Sequence, residues 1–115
     1  MIYADFDINS KREQDDGNIY NIRMNDFADA ARGDGWVSDA QERSVINTNI
    51  DGNKYDKIIT LVTTCDDFED ARLVVMARCV REGETLSITN DRATPNPTPK
   101  YPKKWYTDRN IKYPF

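Results

Sequence analysis

Histidine is absent from this chain of 115 residues, and the chain has only two cysteines. Without histidine the chain lacks the commonest general base and the commonest metal ligand, which excludes every Ser–His or Cys–His pair within it. Cys65 and Cys79 lie too far apart in sequence to form a CxxC-type zinc site. We therefore predict no metal site and no cofactor.

Long apolar runs and basic leaders are missing as well. The opening MIYADFDINS contains neither, so we expect no signal peptide there. No stretch of the chain is apolar over the length that a membrane-spanning helix needs. The opening has the alternation of a strand entered midway, and we therefore expect the chain to be a fragment of a longer protein.

A net positive charge is found only at the C-terminal end. The chain carries a net charge of −4, but the residues from Pro95 onward carry +4, so residues 1–94 carry −8. The charged residues behind the C-terminal value are Lys100, Lys103, Lys104, Asp108, Arg109 and Lys112. An acidic body repels nucleic acid and anionic lipid, so we expect no nucleic-acid partner.

Proline is absent from residues 1–94, and all five prolines follow that point. A proline-rich segment favours extended, polyproline-like conformations and cannot donate backbone hydrogen bonds at its prolines. We therefore predict two units, a folded domain at residues 1–84 and an extended tail at residues 85–115. The tail is expected to contact a surface through Tyr101, Trp105 and Tyr106.

Periodicity predicts a β-rich α+β fold with one or two short helices. The opening MIYADFDI alternates apolar and polar side chains as a strand does. A first helix is predicted to start near Tyr20 and to end at Gly33, and a second, over SDAQERS, to begin at Ser38 as its N-cap. The apolar face of the first comprises Tyr20, Met24, Phe27, Ala28 and Ala31.

Residues 57–64 and 72–81 are two apolar, β-branched runs joined by the acidic loop CDDFEDA, and they predict an antiparallel hairpin. In that register Cys65 lies beside Ala71 at the loop, whereas Cys79 lies near the open end. At about 3.3 Å per residue the two sulfur atoms are about 20 Å apart. A disulfide needs Cα atoms within about 7 Å, so we expect no bridge.

The two faces of the second hairpin strand differ in character. Cys79 shares one face with Leu73, Val75 and Ala77, and we predict that this apolar face is the core and that Cys79 is a small core residue. Two interpretations stay open for the opposite face, a solvated surface and a substrate groove edged with arginine. That face carries Arg72, Val74, Met76, Arg78 and Val80.

Cys65 stands at a strand end beside a loop, where a thiol can be held rigidly and still reach a ligand. Arg72 opens the next strand, and an arginine lowers the pKa of a thiol and donates hydrogen bonds to a developing oxyanion. The acidic loop acts in the opposite direction, so a catalytic and a structural Cys65 both remain open. The loop also allows a weak Ca²⁺ site, but the spacing favours a solvated turn of Asp66, Asp67, Glu69 and Asp70.

The segment KIITLVTTCDDFEDARLVVMARCVREGE resembles the active-site strand pair of class B sortases, the cysteine transpeptidases of Gram-positive cell surfaces. Their pattern is a TLxTC strand end, an acidic loop and an arginine that opens the next strand. The pattern's cysteine position is Thr64 here, and Cys65 follows one residue later. The resemblance covers about residues 1–84 and implies the C-terminal half of a sortase-like β-barrel domain. The matching residues are Thr60, Leu61, Thr63, Cys65 and Arg72.

The resemblance implies a transpeptidase that cleaves a sorting-signal peptide through a thioacyl intermediate and transfers it to a cell-wall or pilin amine. It implies Cys65 as nucleophile and Arg72 as oxyanion stabiliser, with the histidine in another chain or in a missing N-terminal half. The implied location is the extracellular face of a Gram-positive cell membrane. We predict that the substrate groove consists of Thr60, Val62, Thr64, Val74 and Met76.

The alternative hypothesis is a non-catalytic peptide-binding module on a degenerate sortase scaffold. Two features of the sequence favour it, namely the absence of histidine and the position of Cys65 one residue beyond that of the pattern. A shift of one residue in a strand turns a side chain to the other face of the sheet. Either a bulge restores the direction of Cys65, or the nucleophile position has been lost to Thr64.

Overall fold

A computed structural model describes residues 2–22, 30–48, 50–53, 55–84 and 93–115. These residues form a small, strand-rich α+β domain with two sheets and two α-helices, as the periodicity predicts. Its elements are β1 (Ile2–Ile8), a 3₁₀ turn (Arg12–Asp15), α1 (Ala30–Arg43), β2 (Ile46–Asn47), β3 (Ile58–Thr64), β4 (Arg72–Arg78), β5 (Thr94–Pro95) and α2 (Lys103–Asp108).

The larger sheet has the antiparallel order β1–β4–β3, and the smaller pairs β2 with β5. The predicted hairpin is confirmed in its register, which runs from the pair Ile58–Arg78 to the pair Thr64–Arg72. Both cysteines are free, as the strand geometry predicts. Both sheets are open within the described residues, so the closed barrel of the sortase-like expectation is not formed by them.

The core lies between the larger sheet and α1. Ala4, Phe6 and Ile8 of β1 enter it from one strand, and Tyr20 meets Phe6 edge-to-face with ring centroids 5.1 Å apart. Burying one large apolar side chain contributes about 1.5–3 kcal/mol, so this cluster supplies much of the fold's stability. The remaining core residues are Tyr3, Trp36, Val37, Ala40, Ile50, Val74 and Met76.

The prediction of which face of β4 forms the core is wrong. Val74 and Met76 are fully buried, whereas the Leu73 face is only half-buried and Cys79 is exposed. The prediction failed because Arg78 shares the buried face and is itself only 1% exposed. Carboxylates from two loops pair with its guanidinium, and an arginine with such partners can be buried.

The predicted division into two helices is also wrong. A single helix α1 runs through Gly33 and contains Ser38, which therefore neither ends nor caps a helix. A glycine inside a helix costs about 0.5–1 kcal/mol relative to alanine, and the burial of the apolar face around Val37 offsets that cost. Tyr20 lies before the helix in the core, and Met24, Phe27 and Ala28 fall outside the described residues.

The C-terminal segment is not wholly extended as predicted. Four of its five prolines precede α2, which begins directly after Pro102, and Pro114 follows the helix, so none of them interrupts it. Tyr106 is buried, and its hydroxyl donates to the carbonyl of Pro99 at 3.2 Å. The backbone N–H of Lys103 donates to Asp15 Oδ1 at 2.9 Å, which joins α2 to the 3₁₀ turn.

Candidate functional site

The loop end of the hairpin brings together the residues that the sequence singles out. Thr64, the last residue of β3, is the cross-strand partner of Arg72, the first residue of β4. The Cys65 N–H donates to Ala71 O at 3.2 Å, so 65 and 71 form a hydrogen-bonded pair and the pair 64–72 is the non-bonded type. Because directly opposed residues share a face, Thr64 is the side chain beside Arg72.

The Cys65 thiol lies on the other face of the sheet. Its Sγ donates to Asp7 Oδ1 at 3.9 Å. Asp7 is opposite Leu73, which is in turn opposite Thr63, so these three side chains share a face. Successive side chains of a strand alternate between faces, so the offset of one residue directs the thiol towards Asp7 and away from the Arg72 side.

The surroundings of Cys65 favour the protonated thiol. Burial raises the pKa of Cys65, and the negative charges of Asp7, Asp67 and Asp66 raise it further, although the backbone N–H of Asp67 acts in the opposite direction. A cysteine nucleophile acts as the thiolate, so this environment suppresses the reactive form. Arg72 is absent from the groups that shift this pKa.

Asp7 is an unusual carboxyl group because it is 2% exposed and faces other acids. Burial raises its pKa to about 8, with a further contribution from the adjacent Asp67 and a smaller opposing one from the Arg109 guanidinium. As a carboxylate, Asp7 Oδ2 has no hydrogen-bond donor among the described residues. Sequence reasoning assigned Asp7 only to the polar face of β1, since nothing local to β1 signals that the hairpin loop covers it.

A cavity of about 250 Å³ lies at the loop end of the hairpin. Cys65 and Arg72 both line it, together with Thr64 and the surrounding loop residues. The two residues predicted as catalytic therefore share one open space, although their side chains leave the sheet on opposite faces. The full lining is Ser10, Thr64, Cys65, Asp66, Asp70, Ala71 and Arg72.

The predicted substrate groove divides into a buried and an accessible part. Val74 and Met76 are 0% exposed, so the prediction that they line a groove is wrong. Thr60 is half-buried, whereas Val62 and Thr64 are exposed. The accessible residues belong to β3, which is the edge strand of the sheet in the described part of the chain.

The acidic loop does not gather its four carboxylates around one point. All four are exposed, and Asp70 forms an ion pair with Lys11 at 2.8 Å. Among the described residues, the one group of three potential metal-ligand side chains comprises Asp7, Cys65 and Asp67, whose ligand atoms lie within 4.8 Å of one another. A solvated turn thus describes the loop better than a Ca²⁺ site of its own carboxylates.

The open end of the hairpin holds a network of acids and arginines that sequence reasoning missed. Arg78 Nη2 lies 2.6 Å from Glu84 Oε2, and Arg81 contacts both oxygens of Asp56 at 2.7 and 2.6 Å. Asp51 completes the network at 3.1 Å from Arg81. The available signal was the pair of acidic turns, DGNKYD and REGE, that flank the two strands.

The C-terminal aromatic residues form a second accessible cavity of about 530 Å³. Tyr101 and Trp105 stack with centroids 4.0 Å apart, and the Arg109 guanidinium lies over Trp105 at 4.3 Å. The predicted surface contact through these aromatics is therefore in part a contact among themselves. The lining is Pro97, Thr98, Pro99, Tyr101, Trp105, Tyr106, Ile111, Pro114 and Phe115.

Comparisons with protein-family models, curated proteins and solved structures found no match to this chain. In the part of the chain that is described, no helix has the length and apolar character needed to cross a membrane.

Proposed function

We propose that this chain is a non-catalytic peptide-binding module on a sortase-like scaffold, in which an extended peptide pairs with the edge of β3 that no other described strand occupies. The observation that carries the proposal is the orientation of the Cys65 thiol, which contacts Asp7 on the face opposite to Thr64 and Arg72. A peptide lying along the Arg72 side of the hairpin would meet an arginine but no nucleophile.

The backbone of β3 supports pairing with a peptide strand. The hydrogen-bonded pairs 57–79 and 65–71 mean that odd-numbered residues of β3 bond to β4. The N–H and C=O groups of the even-numbered residues therefore point to the free edge, and β-strand addition uses such groups. They belong to Ile58, Thr60, Val62 and Thr64.

The side chains of β3 favour an apolar, uncharged ligand along most of the edge. The strand IITLVTT contains no charge and no proline, so it lacks the usual features that protect an edge strand. Ile59 and Leu61 are 58% and 61% exposed on one face, and Val62 is exposed on the other. Arg72 at one end adds a site for a carboxylate, so we propose an extended apolar peptide with an acidic group at that end.

The resemblance to class B sortases gives this peptide a proposed identity. It would be the sorting signal of a surface protein, bound at the extracellular face of a Gram-positive cell membrane. Another chain or a further segment of the same protein is the competing occupant of the edge.

The test is the binding of a fluorescent, apolar peptide with one terminal carboxylate, compared between two variants at position 62. Val62→Pro removes an N–H that faces the edge and leaves the ladder with β4 intact, because proline is tolerated at such edge positions. Val62→Thr is the matched control that keeps the N–H. We expect Val62→Pro to lose most binding and Val62→Thr to keep it. Equal binding by Val62→Pro and the wild-type chain would refute the edge as the site.

A second candidate function, a sortase-like cysteine transpeptidase, is supported by the cavity that Cys65 and Arg72 share. In it the Cys65 thiolate attacks the scissile carbonyl and Arg72 stabilises the oxyanion. The C–N bond then breaks, the peptide amine takes a proton from the external base and leaves, and an acceptor amine attacks the thioacyl carbonyl and releases the Cys65 thiolate. The base has to come from outside this chain, which has no histidine.

The variant Thr64→Cys/Cys65→Ala separates the two functions. It moves the thiol to the residue opposite Arg72, the position that the TLxTC pattern assigns to cysteine. With imidazole supplied as the external base, and if the wild-type chain is non-catalytic for the reason proposed, only this variant forms a thioacyl adduct with a sorting peptide, as detected by mass spectrometry. An adduct on wild-type Cys65 that is lost in Arg72→Ala would instead establish the transpeptidase.

A further inference from the structure

We propose that Asp7, Cys65 and Asp67 form a binding site for a thiophilic divalent cation, with Zn²⁺ as the best fit. The site lies at the loop end of the hairpin on the face opposite to Arg72. Its three ligands come from β1, from the end of β3 and from the loop that follows. It is independent of the peptide-binding edge proposed above.

The distances fit one cation. The three ligand atoms lie within 4.8 Å of one another. Zinc–sulfur bonds of about 2.3 Å and zinc–oxygen bonds of about 2.0–2.2 Å at a tetrahedral angle separate sulfur and oxygen by about 3.6 Å. The Cys65 Sγ to Asp7 Oδ1 distance is 3.9 Å, so two of the ligands need only a small shift to bind the same ion.

A buried and unpartnered oxygen marks the site independently of the clustering. Asp7 is 2% exposed, and as a carboxylate its Oδ2 has no hydrogen-bond donor among the residues that the structure describes, because the adjacent side chain is another carboxyl group, Asp67. A buried polar atom without a partner is costly, and most such atoms in folded proteins are bonded to protein or water. A cation between Asp7 and Asp67 would satisfy this oxygen and remove the repulsion between the two carboxylates.

The chemistry of the donor set selects the class of cation. Ca²⁺ takes six to eight oxygen ligands, whereas a set of one thiolate and two carboxylates suits Zn²⁺. Three protein ligands leave a fourth position, and the exposure of Asp67 opens that side to solvent.

The surroundings hold the ligands in position. Cys65 is fixed through its own N–H, which donates to Ala71 O at 3.2 Å. Arg109 donates to the backbone carbonyl of Asp67 at 2.9 Å while its guanidinium lies over Trp105. Metal binding deprotonates the thiol, so the three ligands would carry three negative charges, which the two positive charges of the cation and the one of Arg109 would balance.

The test is a titration of the full chain with Co²⁺, followed by the ultraviolet charge-transfer absorption of a cobalt–thiolate bond. We expect one equivalent to bind with this band, Cys65→Ser to abolish the band, and Zn²⁺ to displace the cobalt. Asp7→Asn should weaken binding by more than about tenfold, since even a residue that supports a ligand is worth about 10- to 100-fold.

Two matched controls distinguish this site from ordinary surface binding. Asp66→Asn removes an exposed carboxylate adjacent to Cys65 but outside the ligand group, and Cys79→Ser removes the other thiol. Both should bind Co²⁺ as the wild-type chain does, and circular dichroism should show that Asp7→Asn folds. The proposal is refuted if Asp66→Asn weakens binding as much as folded Asp7→Asn, or if Cys65→Ser keeps the band. Val62→Pro, which disables the peptide edge, should bind Co²⁺ normally.

Discussion

The two ends of the β3–β4 hairpin both gather carboxylates, and they differ in what balances them. At the open end Arg78 and Arg81 lie among Asp51, Asp56 and Glu84, with contacts as short as 2.6 Å. At the loop end Asp7 and Asp67 lie beside the Cys65 thiol, and the nearby Arg109 donates to backbone carbonyls.

The difference is expressed in the pKa values of the carboxyl groups. Hydrogen bonds from Arg81 lower the pKa of Asp56, and hydrogen bonds from the Arg81 backbone and the Arg78 side chain lower that of Glu84. Burial instead raises the pKa of Asp7 to about 8. The open end, whose charges are paired within the chain, stabilises the fold. The loop end, where a buried carboxylate oxygen of Asp7 has no donor among the described residues, is suited to binding a proton or a cation.

The largest expected effect comes from removing the buried arginine of the open end. Arg78→Ala should lower the free energy of unfolding by about 3–5 kcal/mol, because it breaks a buried ion-pair network. Arg72→Ala, at the other end of the same strand and exposed, should stay within about 0.5 kcal/mol of wild type. Urea unfolding measures the free energy of unfolding of both variants. Similar decreases in the two would contradict the distinction between the two ends.

Asp56→Asn should lower the free energy of unfolding by a smaller amount, about 1.5–3 kcal/mol at neutral pH, which is the range for hydrogen bonds to charged groups. The folded pKa of Asp56 is lower than its ordinary value of 3.8. Its contribution is therefore complete above that value and is lost as the pH falls through the lowered folded pKa. Unfolding measured from pH 7 downward should show a smaller acid-induced loss in Asp56→Asn than in wild type, and an unchanged loss would contradict the pairing.

Asp7→Asn should have the opposite effect and raise the free energy of unfolding at alkaline pH. The folded pKa is raised to about 8 from 3.8, so the folded state binds more protons and stability falls as the pH rises between these values. With a chelator present, the variant should be more stable at about pH 9 by about 1–3 kcal/mol, the cost of an unsatisfied buried polar group. The difference should shrink towards pH 4, and Asp66→Asn should show none of it.

The smallest effect is expected from Arg109→Ala at the loop end. It removes an exposed hydrogen bond to the Asp67 carbonyl, worth about 0.5–1.5 kcal/mol. Its positive charge lowers the pKa of Asp7, so the variant should raise that pKa further, and the loss of stability with rising pH should extend to higher pH than in the wild-type chain. Unfolding curves between pH 6 and pH 9 test this, and an unchanged pH profile would show that Arg109 does not act on Asp7.

The hairpin could be predicted from sequence because its information is local. Two β-branched runs and a short loop determine the pairing, and the observed register agrees with the prediction down to Cys65 beside Ala71. The inward face of β4 could not be predicted in this way. It depends on partners of Arg78 that lie in distant turns, Asp51 and Asp56.

The candidate site was predictable only in part for the same reason. The strand pairing of the hairpin predicts that Cys65 and Arg72 lie at the same end of it, and the cavity that both residues line agrees with that prediction. Asp7 comes from a strand that pairs on the far side of β4, so its contact with Cys65 spans 58 positions and leaves no periodic signal. The single helix α1 was missed because tertiary burial outweighs the preference of Gly33 for a helix end.

The most direct test of the central claim, that the Cys65 thiol faces Asp7 and not Arg72, is its alkylation rate by iodoacetamide at neutral pH in a Cys79→Ser background. The raised pKa of Cys65 predicts a rate below that of a free cysteine. It also predicts no change on Arg72→Ala and a faster reaction when the thiol is moved by Thr64→Cys/Cys65→Ala. A rate above that of free cysteine that falls on Arg72→Ala would contradict the account.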